Sequence, residues 1–274
     1  MPSFASIAPD KLARLIGTAR SPIILDVRED EALSLDPRLI PTSIYLSYDM
    51  VEHWGGAYRG RSVAVSCQRS KKLAEGVAAW LRHQGAEAEI VEGGFEAWRD
   101  AGLPLVPISA VPRRNADGAT VWVTRSRPKI DRIACPWLIR RFVDPAAVFL
   151  FVAAAEVEAV AERFGATPFD IENVAWSHRG DLCTFDVMVS EFGLTTPPLE
   201  RLARIVRAAD TGRLDLEPEA AGVLAISLGL SRMFADDLEQ LEAGLLVYDA
   251  LYRWARDATE ETHNWPSPGT RSPK

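Results

Sequence analysis

The stretch VAVSCQRSKKLAEGVAAWL (residues 63–81) places one cysteine between a short apolar run and an Ala-rich run. VAVS has the composition of a buried parallel strand. KKLAEGVAAWLRHQ has the pattern of a helix, with Ser70 as a capping residue at its start and Gly85 at its end. We therefore predict that Cys67 lies where a strand turns into a helix. Backbone N–H groups at such a turn, with the helix dipole, favour a thiolate and any anion bound to it.

Strands and helices alternate on both sides of this stretch. SPIILDV (residues 21–27) and AEIVEGG (residues 88–94) have the pattern of strands, SIYLSYD (residues 43–49) that of a weaker strand, and FEAWRDAG (residues 95–102) that of a short helix. An amphipathic helix is predicted near the N-terminus, with its buried side formed by Ile7, Leu12, Leu15 and Ile16. This alternation predicts an α/β domain with a parallel sheet over residues 1–106.

The remaining chain has a different organisation. Residues 107–118 are rich in Pro and turn residues, which is typical of a linker. Residues 119–260 contain two predicted strands, TVWVT and AVFLFV, among many helical patterns, so we predict a helix-rich α+β domain. Pro136 predicts a helix that starts at that residue with Cys135 at its N-cap, because proline suits the first turn. Residues 261–274 have the composition of a disordered tail.

Composition and charge exclude several functional classes. No apolar run is long enough for a membrane helix, and the N-terminus lacks the pattern of a signal peptide, so we expect a cytoplasmic protein. The three cysteines are far apart, which indicates free thiols rather than disulfides. The net charge is −7, and the basic residues cluster in one short stretch, which favours a small anion over a nucleic acid as partner.

That basic stretch, TRSRPKIDRIACPWLIRRF (residues 124–142), surrounds one cysteine with cationic side chains. At a helix N-terminus beside Arg132, the Cys135 thiol is expected to have a lowered pKa, although a small buried residue fits the position as well. The arginines predict an oxyanion site, or pairs with the acidic helices that follow, or a mixture of the two. The candidate oxyanion and thiol residues are Arg125, Arg127, Lys129, Arg132, Cys135 and Arg140.

A third candidate site lies in SHRGDLCTFD (residues 177–186). Imidazole, thiolate and carboxylate groups within ten residues suit a transition metal, with His178 as the first ligand and Asp210 as a remote one. The spacing matches no known ligand signature, so a structural histidine is the alternative. No cofactor is required by any other pattern.

The first domain resembles the rhodanese (sulfurtransferase) domain over about residues 5–106. The resemblance rests on Asp26-Val27-Arg28 after one strand, Cys67 after the next, and Glu92-Gly93-Gly94-Phe95 followed by Trp98. It implies a nucleophilic cysteine that takes a sulfane sulfur from an anionic, thiosulfate-like donor and passes it to a thiol acceptor. By this resemblance Cys67 is the nucleophile. The implied substrate-binding residues are Gln68, Arg69, Ser70, Lys71, Lys72 and Arg28.

The cysteine loop departs from better-known rhodaneses at two positions. Those domains have Gly three residues after the cysteine and often Arg five residues after it, where this chain has Ser70 and Lys72. Serine enters the left-handed region reluctantly, and lysine lacks the bidentate fork of arginine. The loop is therefore either a working persulfide site, a weakened or repurposed one, or a place where a cysteine is merely packed.

Residues 121–256 resemble the chromate-resistance domain at the C-terminus of ChrB-type proteins. The resemblance rests on WVTRSRPKIDRIACPWLIRRFVD, PFD at 168–170, SHRGDLCTFD, RAADTGRLDL and AAGVLAISLGLS. It implies a part in chromate resistance, by sensing the oxyanion or by handling it. Two hypotheses follow: a sulfurtransferase or thiol-redox protein whose second domain binds an oxyanion such as chromate or sulfate, or a chromate-sensing module with a rhodanese scaffold. A DNA-binding regulator is the weakest reading, because no helix-turn-helix is evident.

Overall fold

The computed structural model describes residues 5–261, and its first part is an α/β domain. The elements of this domain are β1 (Ser6–Ile7), α1 (Pro9–Leu15), β2 (Ile23–Asp26), α2 (Asp30–Leu35), β3 (Arg38–Leu39), β4 (Ile44–Tyr45), α3 (Val51–Trp54), β5 (Ser62–Ser66), α4 (Lys72–His83), β6 (Glu87–Val91), α5 (Gly94–Asp100) and β7 (Val106–Pro107). Five parallel strands form one sheet in the order β1-β6-β5-β2-β4. The predicted parallel sheet is confirmed.

The strand β5 lies in the middle of this sheet and alternates its side chains between the two faces. Val63, Val65 and Cys67 belong to the apolar cluster that includes α4, whereas Ala64 belongs to a second cluster on the opposite face. Both faces are covered, which is why β5 is apolar at every position from Val63 to Val65. Cys67 follows the same period, so its side chain lies on the side of α4.

The second part of the chain is rich in helices, as the sequence predicts. Its elements are β8 (Val121–Arg125), α6 (Asp131–Leu138), β9 (Val148–Val152), α7 (Val157–Phe164), β10 (Thr167–Pro168), α8 (Thr184–Glu191), α9 (Pro197–Asp210), α10 (Ala220–Met233) and α11 (Asp237–Asp257). The strand β8 pairs in parallel with β9 on one side and β10 on the other. None of the helices in the described residues is long and apolar enough to span a membrane.

The two parts share one hydrophobic cluster. Trp98 of α5 and Trp137 of α6 belong to it, and both side chains are buried. A Cβ added to Gly17 would lie 2.4 Å from the Phe142 ring, and the Thr42 N–H donates to the Phe142 carbonyl at 2.9 Å. The segment predicted to be a linker, residues 107–118, therefore joins two parts that are packed against each other. It contains a short 3-10 turn at Ile108–Ala110.

Three local predictions are wrong. Ile7 belongs to β1 rather than to the N-terminal helix. Ser70 does not cap α4, because its backbone has φ 44° and Lys71 occupies the N-cap. The helix α6 begins at Asp131, not at Pro136, so Cys135 lies inside the helix.

The helix α6 continues through Pro136 and ends in a π-helical turn. Residues 139–143 form a π-helical turn, in which the Asp144 N–H donates to the Ile139 carbonyl at 2.7 Å. Such turns are rare, and the proline rule does not anticipate them. Apart from Glu261, the predicted disordered tail lies outside the described residues.

Candidate functional site

The loop that carries Cys67 connects β5 to α4 in the first domain. The strand ends at Ser66 and the helix begins at Lys72, so the cysteine is the first residue of a tight five-residue connection. Cys67 is 5% exposed, whereas Arg69, Lys71 and Lys72 are exposed. The predicted position of the cysteine between a strand and a helix is confirmed.

The start of α5 holds this loop in place. The N–H groups of Phe95 and Glu96 donate to the carbonyls of Cys67 and Gln68, each at 3.0 Å. The Glu96 carboxylate accepts from the Gln68 amide at 3.0 Å and pairs with Arg69 at 2.6 Å. The side chains of Gln68 and Arg69 therefore fix the loop to Glu96 of α5. The carbonyls of Cys67 and Gln68 accept hydrogen bonds from α5.

The backbone N–H groups of the same loop have no acceptor among residues 5–261. No described residue accepts a hydrogen bond from the N–H of any residue from Gln68 to Lys72. Five such donors in a row, followed by the 12-residue helix α4, form an arrangement that stabilises an anion. Cys67 directly precedes these five residues in the chain.

The backbone of Ser70 is strained in this loop. Its φ of 44° lies in the left-handed region, and its hydroxyl is buried without a hydrogen-bond partner among the described residues. A non-glycine residue in that region costs about 1–2 kcal/mol, and a buried unpaired hydroxyl adds to this cost. The position is therefore one at which glycine fits better than serine, as the resemblance implies.

Replacing Ser70 with glycine is expected to stabilise the protein. The variant relieves the strain and the unpaired hydroxyl, and it loses about 0.5–1 kcal/mol through the flexibility of glycine in the unfolded chain. We expect a net gain of about 1 kcal/mol in the free energy of unfolding, measured by urea denaturation. Ser62→Gly, in the strand β5, is the matched control and should destabilise the protein. Equal losses in both variants would contradict this interpretation.

Arg28 does not bind substrate in this structure, which corrects the prediction from the sequence. Its guanidinium is fully buried and pairs with Asp26 at 2.8 Å. The remaining donors bind the carbonyls of Asp36 and Arg38, and the group stacks 3.8 Å from the centre of the Phe95 ring. Because its guanidinium is 0% exposed and binds Asp26, Asp36 and Arg38, Arg28 connects the ends of two strands to α5 and is not accessible to a ligand.

The basic side chains of residues 124–142 have separate partners and do not form one anion site. Arg127 binds Asp237 through its N–H and the carbonyl of Phe234 through its side chain, and Arg140 pairs with Glu242 on α11. Arg125 and Lys129 are exposed. Arg140 therefore pairs with an acidic helix, whereas Arg125 and Lys129 have no ion-pair partner among the described residues. The prediction of one oxyanion site at these residues has no geometric support.

Cys135 is not an activated thiol, contrary to the prediction. The residue is 0% exposed inside α6, and burial raises its pKa well above the ordinary value, with Asp131 and Asp170 adding to the effect. Burial also raises the pKa of Cys183, again with a contribution from Asp131. Cys183 is the N-cap of α8, where its N–H donates to Asp186 at 3.1 Å. Both thiols are held in the neutral form.

Alkylation of the native protein is expected to separate the three cysteines. With iodoacetamide at neutral and mildly alkaline pH, Cys67 should react first, because it is 5% exposed, whereas Cys135 and Cys183 are 0% exposed and burial raises the pKa of both thiols. Cys135 and Cys183 should become reactive only in urea. Peptide mass spectrometry measures each site separately, and modification of native Cys135 as fast as Cys67 would contradict the structure.

A cluster of carboxylates around His178 forms a second candidate site. The Nε2 atom of His178 lies 3.5 Å from Asp131 Oδ2, 3.6 Å from Asp170 Oδ1 and 3.3 Å from Asp210 Oδ2. Asp131 is the first residue of α6, Asp170 follows β10, and Asp210 is the last residue of α9. The sequence singled out His178 and Asp210. It did not identify Asp131 or Asp170 as their neighbours, and Asp186 instead pairs with Arg207.

The pKa values of His178, Asp170 and Asp210 are all raised within this cluster. The Asp131 carboxylate, helped by those of Asp210 and Asp170, raises the pKa of His178 to about 9. Burial, together with the charges of Asp131 and Asp170, raises the pKa of Asp210 to about 7. Burial likewise raises the pKa of Asp170, although Arg132 Nε lies 3.2 Å from its Oδ2. The carboxylates of Asp131, Asp170 and Asp210 thus lie close together with few positively charged side chains beside them.

Comparisons with known protein families match both parts of the chain. Residues 8–101 match the family described as the rhodanese-like domain, and residues 122–255 match the family described as the C-terminal domain of ChrB. Protein ChrB of Cupriavidus metallidurans is 34% identical over 174 residues, which cover 61% of this chain. The match covers 52% of the relative, so the chain spans about half the length of the curated protein it matches.

Solved structures with similarity to the chain include two rhodanese-related proteins. A rhodanese-related protein from Thermoplasma volcanium is 28% identical with a TM-score of 0.33, covering 38% of this chain and 98% of its own. A rhodanese-like domain protein from Staphylococcus aureus is 26% identical with a TM-score of 0.31. The match covers 34% of this chain and 90% of the Staphylococcus aureus chain. By the two family matches, the chain joins a rhodanese-like domain, residues 8–101, to a ChrB C-terminal domain, residues 122–255.

Proposed function

We propose that the first domain transfers sulfane sulfur through a persulfide on Cys67, and that the chain acts in chromate resistance. The observation that carries the sulfur-transfer proposal is the row of unpaired backbone N–H groups from Gln68 to Lys72 beside the cysteine. The chromate proposal is supported by the ChrB C-terminal domain and by the similarity to Protein ChrB. Arg132 and Arg140 are paired within the chain, so the proposal assigns no oxyanion site to the second domain.

The proposed chemistry is an exchange between two sulfur–sulfur bonds. The Cys67 thiolate attacks the outer sulfur of thiosulfate, the S–S bond of the donor breaks, and sulfite leaves with the electron pair. The product is a Cys67 persulfide with its charge on the terminal sulfur. A thiolate acceptor then attacks that terminal sulfur, takes it as its own persulfide and releases the Cys67 thiolate. No external oxidant or reductant is needed.

The loop contributes to each step through its charges. The free N–H groups are placed to stabilise the terminal sulfur anion, as amide donors do for other anions. Lys71 and Lys72 are exposed and have no ion-pair partner among the described residues, so they attract an anionic donor to the loop. The Glu96 carboxylate neutralises only the charge of Arg69. Lys71 and Lys72 therefore leave the loop with a net positive charge.

Mass spectrometry of the full chain tests this proposal directly. After treatment with thiosulfate, the Cys67 peptide should gain the mass of one sulfur atom, and an equal amount of sulfite should be released. Cys135 and Cys183 are internal controls, since both are buried and should remain unmodified. Absence of the added sulfur on Cys67, or its appearance on all three cysteines alike, would refute the proposal.

A second candidate function is a chromate-responsive module in which the first domain is a scaffold. One observation favours it: Ser70 strains the loop and leaves a hydroxyl unpaired, a cost that an optimised sulfur carrier would avoid. The hydrophobic cluster shared by the two domains would transmit a change from one to the other. Under this candidate, Cys67→Ser leaves chromate tolerance in cells unchanged, whereas the sulfur-transfer proposal expects the tolerance to fall.

A further inference from the structure

The carboxylate and imidazole cluster of the second domain has the spacing of a metal-ligand shell. One ligand atom each from Asp131, Asp170 and His178 lies within 4.8 Å of the other two. The distances from His178 Nε2 to the three carboxylates are 3.3–3.6 Å. Donor atoms about 2.0–2.1 Å from one tetrahedral ion are themselves about 3.3 Å apart, so these side chains need only small movements to share an ion.

An orphaned buried oxygen points to a missing ligand. The Asp131 side chain is 0% exposed, and its Oδ2 accepts from the Thr184 N–H at 2.7 Å. Its Oδ1 atom is buried and accepts no hydrogen bond from the described residues. A buried carboxylate oxygen without a partner is costly, and a bound cation would supply the missing partner.

The balance of charge also favours a cation. Asp131, Asp170 and Asp210 carry three negative charges when ionised, and Arg132 is the permanently charged group paired with them, 3.2 Å from Asp170. Two charges remain when His178 is neutral, as a metal-binding imidazole must be, and a divalent ion would compensate them. His178 is 41% exposed, which gives an ion a route from solvent to the otherwise buried carboxylates.

We propose that Asp131, Asp170 and His178 bind a divalent first-row transition-metal ion, with Asp210 as a fourth ligand. One imidazole and several carboxylates suit ions of intermediate hardness such as Zn²⁺ or Mn²⁺, whereas Ca²⁺ takes oxygen ligands. The neighbouring thiols are not part of the site, because the set of close ligand atoms in the described residues comes from Asp131, Asp170 and His178. The site is separate from Cys67 and does not depend on sulfur transfer.

Binding of Zn²⁺ to the metal-free full chain tests the proposal. Calorimetry should show one ion per chain, and Asp131→Asn and His178→Gln should each weaken binding more than about 100-fold, since even outer-shell changes cost up to that much. Asp186→Asn is the matched control: Asp186 lies eight residues from His178 but pairs with Arg207, so the variant should bind as the wild type does. Absence of stoichiometric binding, or equal affinity in all four proteins, would overturn the proposal.

A spectroscopic measurement keeps the test valid if Asp131→Asn fails to fold. In a chain labelled with ¹⁵N-histidine, Zn²⁺ should shift the Nε2 signal of His178 to the position of a metal-bound nitrogen. The signal is assigned from its loss in His178→Gln. Stoichiometric Zn²⁺ binding that leaves the His178 signal in place would show that the ion binds elsewhere and would contradict the proposed site.

Discussion

Replacing Cys67 with serine is expected to lower the rate of sulfur transfer from thiosulfate to a thiol by at least about a thousandfold. Serine keeps the size of the side chain, but its hydroxyl has a far higher pKa and forms no S–S bond. The free energy of unfolding should change by less than about 1 kcal/mol, because the substitution is nearly isosteric at a site at the edge of the core. Steady-state kinetics of the full chain, with sulfite release as the readout, measure the effect.

The control for this variant is Cys183→Ser. Cys183 is the N-cap of α8, a position that serine fills well, so this variant should fold and transfer sulfur at the wild-type rate. If Cys67→Ser retains the wild-type rate, the first domain does not work through a Cys67 persulfide. If both variants lose activity together, the loss reflects general damage and the assignment to Cys67 fails.

Replacing Gly94 with alanine is expected to destabilise the first domain and to disable the cysteine loop. Gly94 has φ +63°, and a Cβ at this position would lie 2.2 Å from the Cys67 carbonyl oxygen and 2.7 Å from the Ser70 nitrogen. Both neighbours are backbone atoms, so the loop must move away from α5. We expect a loss of about 3–5 kcal/mol in the free energy of unfolding, from the combined clash and left-handed strain.

The expected loss of sulfur transfer in Gly94→Ala exceeds about 100-fold, because the Phe95 and Glu96 hydrogen bonds that shape the loop cannot form as they do in the wild type. Gly76→Ala is the matched control. Gly76 lies within α4 and has no heavy atom within 4 Å of an added Cβ, so alanine should stabilise the helix by about 1 kcal/mol. Urea denaturation and kinetics measure both variants. A Gly94→Ala protein as stable and active as Gly76→Ala would show that the contact does not shape the loop.

The arrangement of the first domain could be predicted from local sequence patterns. The period of two in VAVS, the Ala-rich helical run and the order of the three rhodanese-like motifs all concern residues within a few positions of one another. They locate Cys67 after β5, as the structure does. The sequence did not predict the role of Arg28, because its partners Asp36 and Arg38 lie in a separate segment that folds back onto it.

The second domain shows why the remaining features could not be predicted. Asp131 and Asp170 are 39 residues apart, and α6, β10 and the loop before α8 must all be in place before they meet His178. Long-range packing of this kind leaves no local spacing signal. The one sequence feature that could have indicated this site was Asp131, a single aspartate within the basic stretch of residues 124–142. Pro136 misled the placement of the helix, because proline only prefers the first turn, and α6 contains Pro136 in its interior.

The central claim is that the backbone N–H groups of the cysteine loop hold a sulfur anion on Cys67. Backbone amide NMR of the deuterated full chain, before and after thiosulfate treatment, measures this contact directly. Formation of the persulfide should shift the amide protons of Gln68 to Lys72 downfield, because hydrogen bonds to an anion deshield them, while amides of α11 stay in place. If Cys67 gains sulfur and these five amides do not move, the loop does not hold the anion and the account is wrong.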